Sequence, residues 1–135
     1  METLYKIGMS HAAQLLVLAF LAITFLQSGY DKITDWKGNV SFLNAHFAQT
    51  FLKNKIPFLL GFILLFEIVT GILNIVGIFE IYINENTFIG YLSAVLAAKI
   101  LLMLLFGQRI AKDYAGAMTI AVYFIVAIIG VLILK

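Results

Sequence analysis

The sequence predicts an all-α integral membrane protein: an antiparallel bundle of four transmembrane helices, with a short amphipathic helix between the first and second spans. Three observations lead there. Only 12% of the 135 residues are charged, about half of what a soluble domain carries. Mean hydropathy is +1.05. Four apolar runs, at about residues 11–28, 57–78, 88–106 and 114–134, are each near the length that crosses a bilayer core as a helix. The loops between them are mostly short, which makes neighbouring helices antiparallel and the chain a single domain.

Residues 1–10 read as a short polar lead. The first span then carries Gln14, Val17, Leu21, Thr24 and Ser28 on one side, a weakly polar stripe suited to a bundle interior. Gly29 is placed to end that helix, and Tyr30 and Trp36 fall where an interfacial aromatic belt would. Residues 31–56 form the longest loop. Within it, Val40, Leu43, Phe47 and Phe51 recur at i, i+3, i+7 and i+11, predicting an amphipathic helix that lies in the interface or packs on its own spans.

Pro57 opens the second span, where its missing N–H costs little. This 57–78 stretch holds a single charge, Glu67, almost at its middle. Thr70, Gly71 and Asn74 follow at i+3, i+4 and i+7, so one face is polar or small and the rest is Leu, Ile, Phe and Val. A lipid-facing carboxylate at that depth is expensive, and the stripe should face protein or water. Residues 79–86 read as a short acidic turn. The third span carries a ridge of Gly90, Ala94, Ala97 and Ala98, which lets helices approach closely, and one mid-span charge, Lys99. Residues 107–113, GQRIAKD, make a tight basic connection. The fourth span lines up Gly116, Thr119, Tyr123, Ala127 and Gly130.

Composition excludes several classes. A net charge of +2 without a basic, aromatic-interleaved cluster gives no footing for nucleic acid. Without cysteine there is no disulfide framework, CxxC pair, cysteine-ligated metal or c-type haem attachment. No phosphate loop, HExxH or nucleophile elbow is present, and no metal site is expected. His11 and His46 are two imidazoles that iron would accept, but nothing in their positions puts them on one cavity.

Glu67 and Lys99 are the informative charges. They sit near the middle of adjacent antiparallel spans, and each alone would cost about 2.5–3.5 kcal/mol to insert. Pairing is the simplest relief. The pair either fixes the register of the bundle or, with Thr70 and Asn74, forms a polar pocket for a ligand head group, a quinone or a proton; the remaining alternative is that Lys99 snorkels to a membrane surface, a long way from so deep a position.

Three stretches resemble DoxX-type membrane proteins. FLQSGYDKI, at the end of the first span, is similar to their Gly-x-x-Lys signature. Glu67, Thr70, Gly71, Asn74 and Gly77 give a similar ExxTGxxNxxG in the second span, and GQRIAKD resembles the Gly/Arg/Asp connection after the third. The first span lacks the early basic residue that members often carry, and Asn74 replaces a usual apolar residue. The resemblance covers most of the chain and implies a small four-helix protein of the bacterial inner membrane. Some relatives are membrane subunits of thiosulfate:quinone oxidoreductase or partners of redox and thiol-homeostasis enzymes.

Three functional classes follow. The favoured one is an accessory subunit, not a complete enzyme alone, that anchors or assembles a larger respiratory or redox complex among lipid and other membrane-protein subunits. The others are a quinone-linked oxidoreductase subunit and a small-molecule carrier, both built on Glu67 and Lys99. No cofactor is evident in the sequence itself, and quinone is the class the second reading requires. Basic residues favour the side holding Lys32, Lys37, Lys53, Lys55, Arg109 and Lys112 over the side holding Lys6 and Lys135. The positive-inside bias therefore puts both termini outside. Single cysteines at Lys37 and Glu85 should accordingly label from opposite sides, with position 37 protected in intact cells; labelling of 37 from outside would reverse the orientation.

Overall fold

The computed structural model describes residues 2–135, and among these it contains helices and no strand. Helix α1 spans Glu2–Ser10, α2 Ala12–Thr34, α3 Trp36–His46, α4 Ile56–Asn84, α5 Phe88–Ile110 and α6 Tyr114–Leu134. Four of them, α2, α4, α5 and α6, are long and apolar enough to cross a membrane. They pack in ring order, α2 on α4, α4 on α5, α5 on α6 and α6 back on α2. The chain is an all-α four-helix membrane bundle, with α1 folded against α2 and α4.

Helix α5 runs on through Gly107 to Ile110, residues that the sequence placed in a connection, and three other boundaries differ from the sequence expectation for a packing reason. Helix α2 runs straight through Gly29 to Thr34. Gly29 is buried, and a Cβ there would meet Ile68 Cγ1 at 3.1 Å, so its missing side chain serves close helix contact rather than termination. Residues 79–84 are not a turn but the last part of α4, because Ile81 continues the inward stripe of Asn74 and Gly77 and is fully buried. The helix stops at Glu85, which adopts the left-handed conformation (φ 50°, ψ 35°). At 29 residues α4 is about 43 Å long, well beyond a hydrocarbon core of about 30 Å. The amphipathic helix between the spans exists, but it ends at His46 and gives way to turns. Phe47 is buried whereas Phe51 is 66% exposed, so the last repeat of the predicted pattern points away from the bundle.

The small-residue ridge of α5 is the inner face of that helix: Gly90, Ala94, Ala97 and Ala98 are all buried. Its closest approach is to α4, where a Cβ on Gly77 would lie 2.8 Å from Gly90 Cα. Helix α2 locks onto α4 by a second notch, with Leu26 filling the space over Gly71. The α2–α6 edge is closed by Gln14, whose Nε2 donates to the Ile133 carbonyl at 2.7 Å, and by Val17 against Gly130. The weakly polar stripe of the first span therefore enters the core only at Leu21, which with Leu18 and Phe25 is its centre on α2; the other stripe residues border it.

Gly77→Ala should cost about 1–3 kcal/mol, because backbone on α5 cannot yield to the added methyl. Gly61→Ala, whose Cβ would meet only Trp36 Cη2 at 3.8 Å, should be neutral or slightly stabilising. Thermal melts of both in detergent test this; equal melting temperatures would mean the α4–α5 contact is looser than described.

Candidate functional site

Glu67, Thr70 and Asn74 occupy one face of α4 over two turns, and none is more than 1% exposed. The 3.6-residue period puts them in line, and packing by α2 and α5 shuts them in. The Gly77–Gly90 contact fixes the α4–α5 register. Counting three residues back from Gly77 and three on from Gly90 brings Asn74 level with Ser93, which is also fully buried. Ser93 is satisfied locally, its hydroxyl donating to the Gly90 carbonyl at 2.8 Å.

The counter-charge of Glu67 is Lys32, not Lys99. Lys32 Nζ lies 2.8 Å from Glu67 Oε1, with the lysine side chain 16% exposed and the glutamate 1%. Gly29 and Lys32 are three apart on α2, so the glycine that lets α2 approach α4 also puts the lysine over the carboxylate. The ammonium reaches back along its own helix, donating to Ser28 Oγ at 2.6 Å and to the Ser28 carbonyl at 3.5 Å. Its contact with Glu67 is thus an ion pair without hydrogen-bond alignment, and Oε1 has no hydrogen-bond partner among the described residues. Thr70 Oγ1, Asn74 Nδ2 and Asn74 Oδ1 are likewise unpartnered.

Lys99 is exposed. The register does bring it to a depth similar to that of Glu67, as the sequence suggested, but it points the other way. Gly90, Ala94, Ala97 and Leu101 mark the packed face, and Lys99, two residues from Ala97, lies about 200° around the helix from it. Of the residues expected to share a pocket, Glu67, Thr70 and Asn74 lie along one buried face; Lys99 is not among them, and Lys32 meets Glu67 instead. Sequence reasoning noted Lys32 in the Gly-x-x-Lys resemblance and counted it among the loop charges, but did not pair it with Glu67.

The two histidines sit at opposite ends of the bundle. His11 precedes α2 and bonds Gln14, while His46 Nε2 is 2.9 Å from Gln108 Oε1 near the end of α5. One haem cannot take both.

Chemically, the α4 face is a seam of acceptors and donors enclosed in hydrocarbon. A buried polar group left unpaired costs about 1–3 kcal/mol, and a whole domain has only about 5–15 kcal/mol of net stability. Glu67, Thr70 and Asn74 are thus equipped to hydrogen-bond a small polar guest, with Lys32 at the less buried end of the seam. Set against known proteins, the chain matches no protein-family model, no curated protein and no solved structure.

Breaking the Lys32–Glu67 pair from either side should cost about 3 kcal/mol, the low end for a buried pair because Lys32 keeps some exposure. Lys32→Met combined with Glu67→Gln should recover more than about 1 kcal/mol of the summed loss. Lys99→Met with Glu67→Gln should be additive within about 0.5 kcal/mol. Detergent melts of the two cycles check both statements, and coupling to Lys99 instead of Lys32 would reverse the assignment.

Proposed function

We propose that the chain is an accessory subunit that anchors or assembles a larger membrane complex of the respiratory or redox kind, and that it meets its partner through the α5 face bearing Lys99. The observation that carries this reading is the exposure of Lys99 itself. It stands 11 residues from either end of α5, about 16 Å along the axis. A four-carbon stem does not bring its ammonium to water from there. Facing lipid, that charge is costly; facing a neighbouring span with a carboxylate at the same depth, it is relieved.

A second copy of this chain does not supply that carboxylate. Its one mid-span acid, Glu67, is enclosed against Lys32, and two Lys99 faces would repel. The partner is therefore a different protein whose span carries Asp or Glu near the bilayer centre. The resemblance of Gly29–Lys32, of the Glu67–Gly77 motif and of residues 107–113 to DoxX-type proteins supports the same reading, and with it a place in the bacterial inner membrane is part of the proposal.

A second reading rests on a different observation, the unpartnered polar atoms of Thr70 and Asn74 on the same face as the ion-paired Glu67. These suit a small hydrogen-bonding ligand, a quinone head group or a carried solute, held between α2, α4 and α5.

A photo-crosslinking residue at Leu92, two turns from Lys99 on the same face and 39% exposed, tests the first reading. Cross-links should fall on one membrane protein, on a span with a mid-depth acid. Lys99→Asp should abolish them, and the reciprocal acid-to-lysine change in the partner should restore them. Cross-links to lipid alone, or to a span without an acid, would sink the proposal.

A further inference from the structure

A cavity of about 520 Å³ opens at the end of the bundle beneath α3, within the range of about 300–1,000 Å³ usual for ligand sites. Its walls come from α3, the turns after it, α4, α5 and α6, and are almost wholly apolar: Leu43, Phe47, Leu60, Leu104 and Ile120 line it, with Phe62 and Phe106 at an exposed edge. Gln108 is the polar side chain among its lining residues. Its Oε1 is engaged by His46 Nε2 at 2.9 Å, and Asp113 Oδ2 lies 3.6 Å from that same nitrogen. From Gln108 the lining reaches Leu102, about 9 Å deeper along α5. This is the shape of a slot for a hydrocarbon chain, entered from the level of the membrane surface.

The rim carries the opposite chemistry. Lys53 and Lys55 flank the wall residues Leu52 and Ile56, and Arg109 and Lys112 follow Gln108; all four basic residues are exposed. Arg109 is held 5.0 Å over the Tyr114 ring. The nearby acid Asp113 is occupied, accepting from the Gly116 N–H at 2.9 Å as the cap of α6. Helix α4 also begins here, presenting its positive dipole end beside Lys55.

We infer that this cavity is a binding site for an anionic phospholipid, with one acyl chain between α4 and α5 and the phosphate on the Lys53, Lys55, Arg109 and Lys112 rim. A neutral amphiphile such as a quinone would fill the apolar slot but gain nothing from four cations. An anionic lipid uses both halves, and each basic group beside such a head group contributes about fivefold in affinity. The site is separate from the α4 seam.

The test titrates the delipidated full chain in detergent with phosphatidylglycerol and phosphatidylcholine of the same acyl chains, read by native mass spectrometry. One phosphatidylglycerol should bind at least about tenfold more tightly than phosphatidylcholine, since more than one basic group contributes. Lys53→Gln with Lys55→Gln, both on the exposed rim, should reduce that preference by about tenfold or more while leaving the melting temperature of the lipid-free protein unchanged. Gly107→Leu, whose side chain would grow into the slot past Phe47, should weaken both lipids alike. Equal binding of the two lipids, or a preference untouched by the rim variants, overturns the proposal. So does displacement of phosphatidylglycerol by a short-chain quinone at equal concentration.

Discussion

A carboxylate enclosed by hydrocarbon side chains needs a cation within reach, and the packing around Glu67 follows from that need. Lys32 reaches it only because α2 lies close on α4, and α2 lies close because Gly29 and Gly71 are notched for Ile68 and Leu26. The same face of α4 then continues through Thr70, Asn74 and Gly77 to the contact with Gly90, which sets how α5 sits. One charged residue, its counter-ion and four glycines thus fix the register of three of the four spans. The fourth, α6, joins by α5 and closes the ring at Gln14.

Much of this was legible in the sequence, and the parts that were not share a cause. Apolar runs announced the spans, and spacing placed Glu67, Thr70 and Asn74 on one face. The partner of Glu67 was misjudged because depth was weighed without direction. Lys99 matches Glu67 in depth, yet its neighbours Ala97, Ala98, Ile100 and Leu101 are all buried and define a packed face that excludes it. The small-residue ridge already held that information. Gly29 and residues 79–84 misled in a second way, since local punctuation, a glycine and the acids Glu80 and Glu85, was read ahead of the apolar stripe that runs past it. In a membrane bundle a glycine marks close packing at least as often as an end.

The charges divide into three environments with different physics. Glu67 and Lys32 form a pair sheltered from both water and lipid. Lys99 is alone on an otherwise apolar face at mid-depth. Most of the other basic residues, Lys37, Lys53, Lys55, Arg109 and Lys112, gather at the end of the bundle where α3, the start of α4 and the α5–α6 connection meet, near the apolar slot beneath α3. Only the last group has ready access to water, so only there does added salt weaken the interactions.

The order in which Lys32 and Glu67 are made bears on how the bundle enters the membrane. Lys32 stands near the end of α2, and Glu67 lies 11 residues into α4, with a 21-residue segment of α3 and turns between the two helices. During synthesis the cation is therefore already at the membrane surface when the acid emerges. A hairpin of α2 and α4 can take the carboxylate into the bilayer as a neutralised unit, whereas α4 entering first would carry a bare charge to its centre. The long connection supplies the slack for that hairpin to close before α5 and α6 exist.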